Sequence, residues 1–198
     1  QEALAKSMGD GHRVIRGVAG SGKTLILVYR AKLLARLFPQ HRFLVTCYTR
    51  SLAGQLRAML SEYKNIDVMN LDNLMMRTIL DAGLTFPGYR DDDSGEKVAE
   101  VALQALSKKA GPRYRAVLLD EAQDFGTNAL KFAVGLLQEG REDFVVVADA
   151  AQNIFRRKFS WKQAGIQAQG RTRILRINYR NTKEILDFAS KFLLASPM

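Results

Sequence analysis

The sequence predicts an α/β domain built on a central parallel β-sheet with helices on both faces. Two observations support this prediction: short apolar runs alternate with longer helical patterns along the chain, and no internal repeat or low-complexity tract interrupts the alternation. Strands that alternate with helices form parallel sheets, because each helix returns the chain to the edge from which the preceding strand started.

The predicted strands are short apolar runs, and the predicted helices lie between them. In chain order the strands cover 13–16, 43–47, 66–69, 116–119, 144–148 and 173–177. In the segments between them apolar residues recur at helical spacing. These helices cover about 24–37, 51–62, 72–82, 96–109, 127–138 and 182–194. Proline, glycine and adjacent aspartates break the pattern in 86–96, so we predict a surface loop, or the place of an insertion, near 84–98.

Length favours a single domain. The chain has 198 residues, and a domain of this size buries on the order of 70% of the surface that its unfolded chain exposes. We therefore predict one domain over 1–198. The chain starts at Gln1 without a methionine and stops just after an apolar helical pattern, so we expect it to be a piece of a longer protein.

Composition and charge narrow the possible partners. No segment approaches the roughly 18 uninterrupted apolar residues of a membrane span, so no membrane partner is expected. The chain has one cysteine, Cys47, which lies in an apolar run. A single cysteine excludes a disulfide framework and a cysteine metal site, and it fits a reducing, cytoplasmic location. The net charge of +10 fits a polyanion partner such as nucleic acid, or simply a soluble basic surface.

The stretch GVAGSGKT over 17–24 lies between the first predicted strand and the first predicted helix. It fits the pattern G-x-x-x-x-G-K-[ST], in which backbone N–H groups surround phosphate oxygens and the following helix points its positive end at them. Lys23 is expected to reach the outer phosphates of the ligand, and the Thr24 hydroxyl to bind Mg²⁺. A glycine-rich turn without a ligand is the alternative. The residues expected to hold the nucleotide are Gly17, Gly20, Ser21, Gly22, Lys23 and Thr24.

A second stretch, VLLDEAQDF over 117–125, is an apolar strand followed by two acidic residues. Asp120 is expected at the carboxyl end of the strand, where it can hold Mg²⁺. Glu121 follows at once and can polarise an attacking water, which phosphoryl transfer to water requires. At a lone site a charge pair at a helix N-terminus would explain both acids. Beside a phosphate loop they indicate catalysis, and they favour hydrolysis over transfer to another acceptor.

Four motifs in fixed order carry a family resemblance: GVAGSGKT, LLDEAQDF, ADAAQNIF over 148–155 and INYR over 177–180. Together they resemble the first motor domain of UvrD/Rep-type superfamily 1 DNA helicases over nearly the whole chain. The resemblance implies a RecA-like P-loop NTPase fold, ATP and Mg²⁺ as cofactors, and a nucleotide at the carboxyl ends of the strands. It also implies a second RecA-like domain in the parent chain.

The resemblance assigns further residues to the nucleotide. Gln152 resembles the glutamine that senses the terminal phosphate, and Arg180 resembles the arginine that reaches it. Tyr179 matches the residue that stacks on adenine, and Gln1 lies about where the family places its adenine-reading glutamine. Leu25 stands where relatives often have an arginine, so base selection is expected to be loose.

Two stretches are expected to line a path for single-stranded DNA. The first, TCYTRSLAGQLRAML over 46–60, resembles motif Ia. In the second, NIFRRKFSW over 153–161, aromatic and basic residues are interleaved, as expected of a groove that tracks the backbone and stacks bases. Phe159 and Trp161 fit the core better than the groove. The residues expected to contact DNA are Tyr48, Arg50, Phe155, Arg156 and Arg157.

The resemblance implies ATP-dependent translocation on single-stranded DNA and unwinding of a partial duplex, with 3'-5' polarity. Two alternatives stay open: a small-molecule P-loop kinase, which needs an acceptor pocket and a closing lid, and a nucleic-acid-binding scaffold whose ATP site is inactive. Because 1–198 has no room for the second motor domain, we expect this piece alone to be a weak or inactive ATPase.

Overall fold

The structure is a computed structural model that describes residues 1–89, 94–149, 161–175, 177 and 179. The predicted helix over 182–194 lies outside these residues. Among the helices of the described residues, none combines the length and the apolar character needed to span a bilayer.

Six parallel strands form one sheet in the described part of the chain. In chain order, β1 to β6, they are Arg13–Gly17, Phe43–Cys47, Ile66–Asn70, Ala116–Leu119, Asp143–Asp149 and Thr172–Leu175. Their order across the sheet is β3-β2-β4-β5-β1-β6, so β1 lies between β5 and β6. This arrangement confirms the predicted parallel α/β fold, and each strand ends within two residues of its predicted bounds.

Helices connect most of these strands. In chain order, α1 to α6, the described helices are Glu2–Ser7, Lys23–Leu37, Arg50–Leu60, Leu71–Asp81, Ser94–Ser107 and Thr127–Gly135. A 3₁₀ turn, Ala122–Asp124, follows β4. Neither α1 nor this turn was predicted, because both are too short for helical periodicity to show. The predicted loop near 84–98 is shorter than expected, because α5 already begins at Ser94.

The strands β2, β4 and β5 are buried on both faces, as is usual in a parallel sheet, whereas the edge strand β6 is largely exposed among the described residues. Successive residues of a strand point to opposite faces, so neighbours in sequence pack into different layers. Leu44 packs in a cluster with residues of α4, α5 and α6, whereas Phe43 and Val45 pack with residues of α2 and α3. The central strands β4 and β5 are buried along their whole length, which fixes the residues that follow them.

The strand order brings three separate stretches of sequence to one edge of the sheet. β5 pairs with β1 on one side, where Gly17 is opposite Asp149, and with β4 on the other, where Leu119 is opposite Val146. All three strands run in the same direction. The glycine-rich loop after β1, the acidic stretch after β4 and the residues after β5 therefore share the carboxyl edge, where open α/β sheets bind ligands.

Candidate active site

The loop over 17–24 joins β1 to α2, and its shape depends on glycine. Gly20 and Gly22 have φ angles of +76° and +83°, in a region that other residues rarely adopt. At Gly17 a Cβ atom would lie 2.6 Å from Ser21 Oγ, which is too close. Side chains at these positions would therefore distort the loop.

The loop ends at the N-terminus of α2, where an anion is favoured. Gly22 is the N-cap of this helix and has no side chain with which to cap it. The first N–H groups and the positive end of the helix therefore point toward the loop. The buried Ser21 hydroxyl makes no hydrogen bond within the part of the chain that the structure describes, and it can donate one to a phosphate oxygen. This geometry fits a nucleotide phosphate.

Lys23 is the first residue of α2, and its ammonium group is buried under the loop. Nζ donates hydrogen bonds to the carbonyl oxygens of Gly17 and Val18, both at 3.0 Å. Nζ also lies 3.8 Å from Oδ2 of Asp149, the last residue of β5. In this position the ammonium faces the loop itself, and it must turn toward a bound nucleotide to neutralise phosphate charge.

Thr24 and Asp120 meet across the site although 96 positions separate them in the sequence. Thr24 Oγ1 donates a hydrogen bond to Asp120 Oδ2 at 2.8 Å, and Asp120 Oδ1 accepts one from the Glu121 N–H at 2.9 Å. Burial raises the pKa of Asp120 to about 6, and the hydrogen bond from Thr24 acts in the opposite direction. A nearby cation would favour the charged carboxylate.

The oxygens of Thr24 and Asp120 fit a site for Mg²⁺. This ion binds oxygen ligands at about 2.0–2.1 Å in octahedral geometry, so adjacent ligands lie about 3 Å apart. The two oxygens are separated by 2.8 Å. No cluster of three or more His, Cys, Asp or Glu side chains suited to a metal occurs in the described ranges. Mg²⁺ usually keeps waters and phosphate oxygens as its remaining ligands, so one hydroxyl and one carboxylate are sufficient.

Asp120→Ala should weaken nucleotide binding only when Mg²⁺ is present. The substitution would remove a predicted metal ligand and leave the phosphate loop intact, so we expect the affinity for Mg-ADP to fall about tenfold or more. Titration of a fluorescent ADP analogue in Mg²⁺ and in EDTA measures both affinities. Asp120→Asn, which keeps the shape of the side chain, should behave in the same way. An equal loss of affinity in EDTA would assign Asp120 to the phosphates instead.

Glu121, the second residue after the end of β4, has an unusual backbone conformation. Its φ of +52° lies in the left-handed region, which costs a residue other than glycine about 1–3 kcal/mol. Gln123 Nε2 donates a hydrogen bond to Glu121 Oε2, and the Asp149 N–H donates one to Gln123 Oε1 at 2.9 Å. One amide group thus uses both its donor and its acceptor to hold Glu121 against the end of β5.

Gln123 and Asp149 are two site residues that were not predicted. They lie inside the motifs LLDEAQDF and ADAAQNIF, respectively. The available signal was an amide two residues after the acidic pair, together with an aspartate at the end of an apolar strand. Their partners became visible only with the strand order, which places the end of β4 beside the end of β5.

A family model described as an AAA domain matches residues 1–158, which include both the phosphate loop and the acidic stretch. The chain belongs to this AAA domain family. Membership implies nucleotide binding, and together with the parallel sheet it establishes a P-loop domain of RecA-like fold. No curated protein sequence matches the chain.

The fold of this AAA domain is also found in a solved helicase. The crystal structure of Pif1 helicase from Candida albicans is 18% identical, with a TM-score of 0.59, and the match covers 96% of this chain and 42% of that one. The crystal structure of Bacteroides Pif1 bound to ssDNA is 15% identical, with a TM-score of 0.46, and the match covers 94% of this chain and 42% of that one. The crystal structure of the UvsW helicase from bacteriophage T4 is 12% identical, with a TM-score of 0.47, and the match covers 89% of this chain and 58% of that one. The chain therefore spans less than two thirds of each of these proteins.

Gln1 and Tyr179 border the phosphate loop of the AAA domain. Gln1 Nε2 donates to the Ser21 carbonyl oxygen at 3.4 Å, and its amide occupies the space that a side chain at Gly22 would need. The backbone N–H of Tyr179 donates to the Gly20 carbonyl oxygen at 3.0 Å. The Tyr179 side chain is exposed, so its ring is accessible to a base. The roles of Gln1 in reading adenine and of Tyr179 in stacking on it stay predictions. Both residues lie beside the phosphate loop, as these roles require.

Tyr48 and Arg50 lie at the same edge of the AAA domain, after β2. The Tyr48 ring is partly exposed and packs edge-on against Phe125, with 5.5 Å between ring centroids. Arg50 is the first residue of α3, whose N-cap Thr49 accepts a hydrogen bond from the Leu52 N–H at 3.2 Å. The cap fixes the start of α3 next to the tyrosine, so both predicted DNA contacts start from a defined position.

A cavity of about 220 Å³ opens beside Tyr48. Tyr89 and Phe125 add aromatic surface to its wall, whereas Asp72 and Asp124 add carboxylates. Burial raises the pKa of both Asp72 and Asp124. Ionised carboxylates here would repel a phosphate backbone, so any contact of Tyr48 with DNA would be made through a base.

Several predicted site residues lie outside the described residues. They are Gln152, Phe155, Arg156, Arg157 and Arg180. Trp161, from the same predicted groove, is described and packs against the hydrophobic core, which confirms its interpretation as a core residue.

Proposed function

We propose that this chain is the ATP-hydrolysing motor domain of a superfamily 1 DNA helicase of the UvrD/Rep type. One observation carries the proposal: Lys23 from one motif and the pair Asp120 and Glu121 from another lie together at the carboxyl edge of the sheet, after β1 and β4, which flank β5. Those motifs follow the order of the family that they resemble. The Candida albicans Pif1 helicase has a similar fold, which supports a helicase without distinguishing its subtype.

ATP hydrolysis at this site would use the chain's own residues in distinct roles. A water oxygen bonds to the terminal phosphorus while the bond to the bridging oxygen breaks, and ADP leaves with that electron pair. Glu121 is proposed to accept the proton of the water, and Lys23 to neutralise charge on the phosphate oxygens. Mg²⁺, when bound by Thr24 and Asp120, would neutralise part of the same charge.

A small-molecule kinase is the less favoured alternative. A kinase transfers the phosphoryl group to an acceptor, so a glutamate that activates water would work against it by promoting hydrolysis. The hydrogen bond that Gln123 donates to Glu121 holds this carboxylate in a defined position, which supports the water-activating role proposed for it. The stretches LDEAQDF and INYR also have no evident purpose in a kinase.

Single-stranded DNA or a partial duplex is the proposed nucleic acid. Tyr48 and Arg50 follow β2 at the edge that carries the nucleotide site, and the net charge of +10 attracts a polyanion. The 3'-5' polarity rests on the sequence resemblance. We also propose that 1–198 is one motor domain and that a second RecA-like domain in the parent chain completes the site.

The deciding experiment measures ATP hydrolysis by the full-length protein with and without an oligo(dT) strand. A motor should hydrolyse ATP faster on DNA, because its domain movements are coupled to both ligands. A rate that DNA does not change would support the kinase-like alternative. DNA binding without hydrolysis would support an inactive scaffold, and either outcome would refute the motor.

Tyr48→Ala should weaken binding to oligo(dT) about tenfold at every salt concentration, since a stacked base contributes roughly 1–3 kcal/mol and stacking depends little on salt. Tyr48→Phe keeps the ring and should bind like the native protein.

Arg50→Ala should instead lower the salt dependence of binding to oligo(dT). The slope of log affinity against log salt concentration should change by about 0.7. Fluorescence anisotropy at several salt concentrations measures both effects. Native binding by Tyr48→Ala and Arg50→Ala would place the DNA path elsewhere.

A further inference from the structure

Asp149 faces the phosphate-loop lysine although no role at the nucleotide site was predicted for it. It is the last residue of β5, and β1 next to it ends at Gly17, where the loop begins. Oδ2 of Asp149 lies 3.8 Å from Lys23 Nζ, and the two side chains are only 4% and 8% exposed. An ion pair so well shielded from water is screened far less than a surface pair.

In the nucleotide-free protein, the Lys23 ammonium group is therefore held by other groups of the same chain. It donates to the carbonyl oxygens of Gly17 and Val18, and the Asp149 carboxylate supplies the opposing charge. An ammonium group has three N–H donors and one charge. A nucleotide phosphate needs the same charge, so carboxylate and phosphate compete for Lys23.

The end of β5 is fixed, so the competing carboxylate has a defined position. The Asp149 N–H donates to Gln123 Oε1, and the same glutamine holds Glu121. The Asp149 side chain also projects from β5, a strand that is buried along its whole length. A group anchored in this way opposes phosphate binding without losing much conformational entropy.

We propose that Asp149 is a positioning residue that holds Lys23 in a resting conformation and so lowers the affinity for nucleotide. Binding of the phosphates requires the lysine to leave this carboxylate. Asp149 then sets how strongly the site holds ADP and ATP before DNA is involved. The inference rests on the nucleotide-binding part of the proposed function and on none of its DNA-dependent part.

Asp149→Asn removes the charge and keeps the shape of the side chain. We expect the affinity for a fluorescent ADP analogue to increase about three- to tenfold in EDTA, in the range expected for loss of one partly shielded ion pair. The melting temperature of the nucleotide-free protein should fall, because a buried ammonium loses its counter-charge. Asp81→Asn makes the same charge change at the exposed end of α4 and should alter neither value.

Asp149→Glu keeps the carboxylate and should retain an affinity close to that of the native chain. If Asp149→Asn yields no folded protein, Asp149→Ser replaces it, because serine also removes the charge. Unchanged or weaker binding in EDTA would overturn the proposal, since a merely structural aspartate predicts that result. Weaker binding confined to Mg²⁺ would assign Asp149 to the metal and overturn it as well. If neither neutral variant folds while Asp149→Glu does, the carboxylate is a structural charge.

The role of Asp149 and the proposed motor function can be refuted separately. A native protein that binds ADP but hydrolyses ATP at a rate independent of DNA would refute the motor and leave the role of Asp149 standing. A native protein that binds no nucleotide would overturn both proposals.

Discussion

Glu121→Gln is expected to keep nucleotide bound and to lower ATP hydrolysis by about 10²- to 10⁴-fold, the usual contribution of a positioned general base. The amide matches the carboxylate in shape but cannot take a proton from water at neutral pH. Gln123 can still donate to the side-chain oxygen at position 121, so the connection to β5 should persist. The measurements are the turnover rate of the full-length protein at saturating ATP with oligo(dT), and the affinity for a fluorescent ATP analogue.

Glu139→Gln is the matched control, because it makes the same chemical change at an exposed residue between α6 and β5. Its turnover should equal that of the native protein. If Glu121→Gln also turns over at the native rate, Glu121 takes no part in the chemistry. If Glu121→Gln loses nucleotide binding instead, its carboxylate acts on the metal or the phosphates rather than on water.

The fold and the phosphate loop could be predicted because their signals are local in the sequence. Each central strand is a run of buried apolar residues, and glycine, lysine and threonine have fixed places around a phosphate. The meeting of Thr24 with Asp120 also followed from the rule that parallel strands present their carboxyl ends at one edge. Local pattern and general topology were enough for these residues.

The contacts around Glu121 and Lys23 could not be predicted in the same way. Gln123 acts by joining the ends of β4 and β5, and Asp149 acts by facing a loop that follows β1. Both contacts depend on which strands are neighbours, and a single sequence does not give that order. The packing of Tyr48 on Phe125 depends on it as well, since these rings follow different strands.

Lys23→Ala is expected to lower nucleotide affinity about 10²-fold or more and to remove measurable hydrolysis. Charge-assisted hydrogen bonds to phosphate contribute roughly 1.5–3 kcal/mol each, and Lys23 can make more than one. The carbonyl oxygens of Gly17 and Val18 would also lose their donor, so the loop itself should become less defined. Calorimetric titration with ADP, in Mg²⁺ and in EDTA, measures the loss. It should occur in both solutions, because the contact proposed for the lysine is with phosphate rather than with metal.

Lys32→Ala is the appropriate control for the lysine prediction, because it removes the same charge from the same helix, where Lys32 lies over the Tyr63 ring, 5.9 Å from its centroid. Its affinity for ADP should match that of the native chain. A third variant, Lys23→Arg, keeps the charge but cannot occupy the narrow space below the loop in the same way, so it should recover binding only in part. If Lys23→Ala binds and hydrolyses ATP like the native protein, the assignment of the loop over 17–24 to phosphate is wrong, and the roles argued for Asp120, Glu121 and Asp149 are wrong with it.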